Sequence, residues 1–380
     1  MVLAVAGGGM GGLCAAARAR ELGLAPTVSE KGDRPGGSML LSSCVVWRHR
    51  TLEDFRAECP GGDPRLQAQI VERLDDGIAW LESLGAPVVA RETGNPHTTG
   101  VRFEPRGLTA ALARAAGELR VQTLFEPRSQ PLVLATGGFQ GDSELVARYI
   151  TPEASALWLR ANPWSSGDGL TLARTRGAAV SGGLDEFYGR NLPAPPARVT
   201  EDRFVELAQL YGRHALVVNE RGEPFASTPV SWSEIELVQA TARQPGARAW
   251  YVVDARALRE RVRDRTVGEM VRAAEEAGGT VRRGDAIESL ALPPLPASPK
   301  LAEPPFAAVL VAAGITHTIG GLRIDERARV LGEDGVAIDG LYACGADVGG
   351  ISTGGYASGL AAALVFGLIA AETAHELSGS

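Results

Sequence analysis

The stretch Val2-Leu3-Ala4-Val5-Ala6-Gly7-Gly8-Gly9-Met10-Gly11-Gly12 decides how this chain is read. Its apolar run, Val2 to Ala6, suits a buried parallel strand. Gly7 permits the tight turn that follows, Gly9 lets backbone approach a pyrophosphate, and Gly12 lets helix and strand pack closely. The helix expected from Leu13 to Leu22 aims its free N–H groups and the positive end of its dipole at the phosphates. Thr27-Val28-Ser29 reads as a second strand, ending at Glu30 and followed by Lys31. Glu30 lies 18 residues after Gly12, near the spacing of an acid that accepts from ribose hydroxyls. Strand, turn, helix and acid fall in one register, which is a nucleotide-binding pattern.

Further glycine-rich segments extend that site. Gly36-Gly37-Ser38-Met39 falls where the chain runs on past the second strand, and Ala135-Thr136-Gly137-Gly138 follows the apolar strand Pro131 to Leu134. Small residues there let the chain return against a cofactor without steric conflict. At the other end stand His317-Thr318-Ile319-Gly320-Gly321 and Leu341-Tyr342-Ala343-Cys344-Gly345-Ala346-Asp347. A long small-residue helix is expected after them, from Gly354 to Ala371. A nucleotide site built from both ends suits a bound flavin better than a diffusible nicotinamide, so the cofactor expected is a flavin.

At 380 residues the chain exceeds one ordinary core. A net charge of −7 and a pI near 5.5 speak against nucleic acid as a partner. Cys14, Cys44, Cys59 and Cys344 form no CxxC pair and read as small buried packing residues in a reducing cytoplasm, with no metal site expected. The charge-free segment Gly354 to Ala371 is about long enough to span a bilayer. Its Gly, Ala and Ser content and its place after a cofactor motif read instead as a buried helix facing the flavin, so no membrane span is expected. The N-terminus begins directly on a strand, without the basic region of a signal peptide.

Asp63-Pro64 opens a helix with proline in its first turn, and Leu66, Ile70, Leu74, Ile78 and Leu81 form its apolar stripe. Pro105-Arg106-Gly107 leads into a helix to about Leu119. Another begins at Gly167-Asp168-Gly169 and ends at Gly177. From about Leu184 to Pro304 the pattern loosens, and a proline-rich connector closes that stretch. The fold expected is α/β: a Rossmann-like nucleotide-binding domain, residues 1–184 and 305–380, with an inserted α+β cap, residues 185–304. Substrate is expected in the cleft between them.

With these motifs in view, the chain resembles the flavoprotein family of fumarate reductase, succinate dehydrogenase and the 3-ketosteroid dehydrogenases. The resemblance runs from end to end and is weakest within the cap, and Val121 to Pro131 is shorter than the family's usual excursion. It implies that the nucleotide-binding domain is a Rossmann-like FAD-binding domain of the glutathione reductase type, with FAD as cofactor, and redox chemistry at a carbon–carbon bond beside a carbonyl or carboxylate. It also implies cofactor contacts by Gly7, Gly9, Met10, Gly11, Gly12, Glu30, Lys31, Gly36, Gly37, Ser38, Met39, Ala135, Thr136, Gly137, Gly138, Asp168, Gly345, Asp347, Gly359 and Leu360. No histidine follows Ser38, where relatives with covalent flavin carry one, so FAD is expected to be noncovalent.

The departures bear on substrate. An arginine used by fumarate reductases falls on Tyr356, their cap arginine falls near Leu258 (beside Arg256 and Arg259), and a cap histidine falls on Asn191. Of that dicarboxylate-binding set His317 alone is kept, so a doubly charged substrate lacks its bidentate clamp. Tyr356 matches instead a tyrosine with which ketosteroid dehydrogenases bind the substrate carbonyl; their partnering glycine is Leu360 here, with Gly359 one position early. Dehydrogenation beside a carbonyl needs donors on the oxygen as enolate charge develops, and Tyr356 with a backbone N–H suits that role. A base removes the α proton while the β hydrogen leaves as hydride. Tyr188, Tyr211 and His317 are the candidates, with Tyr188 favoured because it opens the cap. The catalytic set expected is Tyr356, Tyr188 and His317. The partners expected are a carbonyl-containing small molecule and an electron acceptor or donor that the residues do not identify. Two alternatives stay open: a flavin subunit for electron transfer in a larger complex, and oxidation of a C–N or C–O bond.

Overall fold

Val2–Ala6 becomes an inner strand because apolar side chains on both faces of a parallel sheet have helices to pack against. The computed structural model describes residues 2–128, 131–226 and 229–378. The chain packs into two compact units. One holds the chain up to Leu145, Ala161–Glu186 and the chain from His317 onward; the other holds Val146–Arg160 and Phe187–Thr316.

The first unit is built on a six-stranded sheet. Its order is Arg329–Leu331, Ala337–Ala343, Leu132–Leu134, Val2–Ala6, Ala25–Ser29, Glu118–Arg120. Every neighbouring pair is parallel except the hairpin at the Arg329–Leu331 edge. Strands from the start, middle and end of the sequence thus meet in one sheet, with Val5 opposite both Val28 and Val133. A smaller antiparallel sheet joins Val45–His49, Thr98–Phe103 and Val88–Ala90. The last helix, Gly359–Ser378, packs on Met10–Glu21 and on Pro64–Ser83. Its small residues matter there: a Cβ on Gly367 would stand 2.6 Å from the Gly11 carbonyl oxygen. This helix is long and apolar enough to cross a membrane, but 72% of its apolar window is buried inside the protein, so packing accounts for the composition.

Three boundaries differ from the sequence expectation. The first helix starts at Met10, because Gly9 is its N-cap and the turn is that tight. The helix from Pro105 ends at Ala116, where Gly117 turns to φ +84°, and Leu119 lies instead in an edge strand opposite Val28. The last helix begins at Gly359, which leaves Tyr356 on the preceding loop.

The second unit centres on the strand Phe306–Thr318, flanked antiparallel by Arg248–Val253 and Val281–Gly284, with Leu216–Val218 beyond. The cap was expected to end at Pro304; this long strand carries the second unit on to Thr316. Its side chains alternate between two cores, as strand geometry requires. Ala307, Val309 and Val311 face Tyr251, Met270 and Val271, whereas Ala308, Leu310 and Ala312 lie with Phe306 in the other core, with Trp250, Val252 and Leu290.

Candidate active site

The first turn separates its glycines by duty. A Cβ on Gly12 would stand 1.9 Å from the Gly7 carbonyl oxygen, and one on Gly7 would stand 2.1 Å from that of Ala135. Gly7 also adopts φ +105°. Both are therefore demanded by the fold itself. At Gly9 the backbone is ordinary, φ −77° and ψ −174°, and a Cβ would meet none of the described residues within 4 Å. Open space at the third glycine, beside close packing at the first and last, is what a pyrophosphate needs.

Glu30 is buried, and its two carboxylate oxygens accept from Gly8 N at 2.7 Å and Gly32 N at 2.6 Å. Lys31, by contrast, is engaged with Ser166 Oγ at 2.6 Å and Asp168 Oδ2 at 2.9 Å, so these two expected contacts meet each other. Gly36 pairs with the first turn, donating from N to the Gly8 carbonyl at 2.7 Å. Ser38 accepts from Asn162 Nδ2 at 3.0 Å, and Met39 is buried behind it. Gly11 packs on the far end of the sequence, where its Cβ would be 2.9 Å from Cys344 Sγ and 3.2 Å from Gly345 N.

Asp347 locks the middle segment to the C-terminal one. It accepts from Thr136 N, from Thr136 Oγ1 at 2.9 Å and from Gly138 N at 3.2 Å. Burial pushes its carboxyl up to about 6 although these hydrogen bonds pull the other way. Beside it, Gln140 Oε1 and Thr318 Oγ1 are buried without a hydrogen-bond partner among the described residues. Both lie within 3 Å of where a Gly138 Cβ would stand. Buried polar atoms left unmatched are costly, so their convergence is consistent with a polar group of a bound cofactor or a water at that place.

The imidazole of His317 lies against the start of the last helix: Cε1 and Nε2 are 3.1 and 3.2 Å from a Gly359 Cβ position. Leu360 follows, half-buried. Tyr356 is half-buried on the loop just before, its ring edge-on to Trp47 at 5.4 Å. Several groups hold that loop. Gln67, fully buried, donates to Ile351 O at 2.9 Å, Glu186 accepts from Gly354 N at 2.8 Å, and His49 Nε2 is 3.4 Å from Tyr356 O. Burial holds the His49 imidazole below the usual histidine range.

The remaining candidates belong to the second unit. Tyr188 is half-buried on the strand Phe187–Pro193. Tyr211 is sealed in the apolar core and burial drives its phenol far up, which removes it as a base. Asn191 is buried too, donating to Tyr251 Oη at 2.7 Å and Thr241 Oγ1 at 3.1 Å. Leu258 packs on the core; Arg256 pairs with the buried Asp254, and Arg259 pairs with Glu303 at the surface.

Sequence reasoning missed Asn162, whose Oδ1 accepts from Trp164 N and Ser165 N while its Nδ2 reaches Ser38 and Ser165. Asn162-Pro163 was a legible turn signal, but nothing marked the turn as part of this site. Gln140, Trp47 and His49 were missed too, and Thr318 was read only as part of the motif that begins at His317, because spacing does not show which side chains pack together.

A parallel sheet whose turns converge from both ends of the sequence, a glycine turn shaped for a pyrophosphate and a buried acid after the second strand define a flavin-binding oxidoreductase, and these residues fit FAD. The chain belongs to the family described as FAD binding domain, whose model matches residues 3–125 and 104–359. It is 26% identical to a probable fumarate reductase, Ifc3, of Shewanella frigidimarina, over 97% of this chain and 74% of that protein. It is 25% identical to the 3-oxosteroid 1-dehydrogenase of Mycobacterium tuberculosis, over 63% of this chain and 52% of the relative. The chain spans about half the length of several other curated relatives it matches. Among solved structures, its fold resembles 3-ketosteroid delta1-dehydrogenase from Sterolibacterium denitrificans with a TM-score of 0.75, at 18% identity and 99% of both chains. It is an FAD-dependent oxidoreductase of the CH–CH class, and FAD is its cofactor.

Proposed function

We propose that this oxidoreductase desaturates a C–C bond beside a ketone, or reduces the corresponding enone. The observation that carries the reading is local: His317 packs on Gly359, and Tyr356 stands three residues before it, where a dicarboxylate-binding site needs an arginine. A phenol and the free N–H groups at a helix start serve one carbonyl oxygen well and two carboxylates poorly. The relatives named for 3-oxosteroid chemistry support a ketone, and those named for fumarate support the bond type.

In this reading Gly9 and Met10 to Gly12 take the pyrophosphate of FAD, with Glu30 toward the adenosine ribose. Gly36 to Met39, Ala135 to Gly138 and Gly345 to Asp347 lie along the remainder, and Lys31 with Asp168 braces the site from one side. Bound FAD supplies the hydride acceptor or donor. Tyr356 Oη donates to the carbonyl oxygen with a backbone N–H of Gly359 or Leu360, which stabilises the enolate. Tyr188 takes the α proton, and His317 orients substrate or moves a proton. The cofactor is held noncovalently, and we place the protein in the cytoplasm with a small-molecule substrate.

The test is a screen of the purified protein for flavin bleaching by saturated cyclic and steroid-like ketones, and for reoxidation of the reduced protein by the matching enones. Response to ketones or enones supports the reading. Rapid reoxidation by fumarate with none by enones sinks it.

A further inference from the structure

Tyr188 and Arg190 are two residues apart on the strand Phe187–Pro193, so they share one face of it. The Arg190 guanidinium lies over the Tyr188 ring, 4.8 Å from its centroid. Arg190 is only 3% exposed, so little water screens its charge. Its place is fixed by donation from Nη1 to the Ser233 carbonyl and, at 3.3 Å, to that of Gly189. A fixed cation favours a phenolate over a phenol, and a guanidinium keeps its charge when buried while stacking on an aromatic face.

We propose that Arg190 is a positioning residue for Tyr188: over the ring, it holds the phenol in place and favours the phenolate, the form that accepts the α proton. This rests on the reading of Tyr188 as the base. In the step concerned, the substrate α C–H bond breaks, the proton passes to Tyr188 Oη, and the electron pair stays with the substrate as enolate. Nothing is oxidised in that step.

The groups around Arg190 set the sign of its effect. Glu234, beside Ser233 at the start of the helix Ile235–Ala242, and Tyr251 from Arg248–Val253 both interact with it, and Tyr211, Arg263 and Lys300 face Glu234. Burial raises the Glu234 carboxyl to about 7, so it is ionised where a tyrosine titrates and then opposes Arg190.

The experiment labels the FAD-loaded protein with 3-fluorotyrosine at its six tyrosines and follows their titration by fluorine NMR, with Tyr188→Phe assigning the signal. Tyr188 is expected to titrate about one pH unit higher in Arg190→Met than in the parent protein, the size a nearby charge typically gives. Arg190→Lys should keep the midpoint close to that of the parent protein, and Glu234→Gln should lower it. An unmoved Tyr188 midpoint in Arg190→Met overturns the proposal. Should that variant not fold, Glu234→Gln decides: a fall supports it, and no change or a rise overturns it. No substrate is needed, so this test can fail while the ketone reading stands, and the reverse.

Discussion

Tyr356 carries the substrate assignment, and its surroundings make it testable. Its ring rests edge-on against Trp47 and its backbone is held by His49, so Tyr356→Phe keeps the packing and removes only the hydroxyl. If that hydroxyl is an oxyanion donor, turnover of a ketone falls roughly a hundredfold, about 3 kcal/mol, with flavin content unchanged. A tyrosine of purely structural importance would lower thermal stability and leave turnover intact. The same residue predicts weak use of fumarate. Without a bidentate arginine, one carboxylate loses a charge-assisted partner at a cost of about 1.5–3 kcal/mol, roughly ten- to a hundredfold in rate. Stopped-flow reoxidation of the reduced protein by fumarate, compared with a cyclic enone, checks it. Tyr356 was legible in the sequence because it follows a motif at fixed spacing. Trp47 and His49 were not, since what brings them to Tyr356 is the pairing of Val45–His49 with Thr98–Phe103 and the packing of the last helix on that strand.

The first strand, turn and helix show how far spacing alone reaches. Glycine at positions 7, 9 and 12 announces the element, but the structure separates what each is for. Gly12→Ala would force a methyl group to 1.9 Å from the Gly7 carbonyl oxygen, which only backbone displacement relieves. Overpacking of this kind costs about 1–3 kcal/mol or more, and the variant should be less stable even without cofactor. Gly9→Ala introduces a methyl group that touches none of the described residues, so the cofactor-free protein should melt as the parent does. Its FAD affinity should fall by about tenfold or more, because the methyl group stands where the pyrophosphate is proposed to lie. Thermal melts with and without added FAD, together with flavin content after gel filtration, separate the two variants. A Gly9→Ala protein that retains full flavin would show the pyrophosphate to lie elsewhere. The ends of elements were less legible than their cores. The helix expected to reach Leu119 stops at Gly117, because a left-handed glycine and an open sheet edge win over local helix propensity.

Across the whole molecule, the inner strands Val2–Ala6 and Leu132–Leu134 of the parallel sheet were readable because each carries an apolar run next to a glycine turn, whereas its edge strand Glu118–Arg120 was not. The second unit was not, because its strands are held by long-range pairing on Phe306–Thr318 and carry no motif. That unit also buries a charge pattern invisible to spacing. Glu234, sealed beside Tyr211 and Tyr251, accepts from the backbone N–H groups of Gly212 and Arg213, yet burial dominates and lifts its carboxyl from 4.5 to about 7. Asp347 in the other unit rises from 3.8 to about 6 for the same reason. The sign follows from proton linkage. Between the unfolded and folded values the native state binds a proton that the unfolded chain does not, so stability falls as pH rises. For Glu234 the favourable contribution is complete below about 4.5 and is lost by the time pH passes about 7. The gap amounts to roughly 3 kcal/mol at full burial. Melting of the FAD-loaded protein should therefore shift to lower temperature between pH 5 and pH 8, by a few degrees in the transition of the second unit. Glu234→Gln keeps an acceptor for one of the two N–H groups and cannot ionise, so its melting temperature should change little over that range. It should lie below that of the parent protein at pH 5 and approach or exceed it at pH 8. Parallel slopes for the two proteins would mean that Glu234 does not titrate in the folded state near neutrality, and that the Arg190 guanidinium is opposed by a fixed negative charge at every pH the enzyme works at.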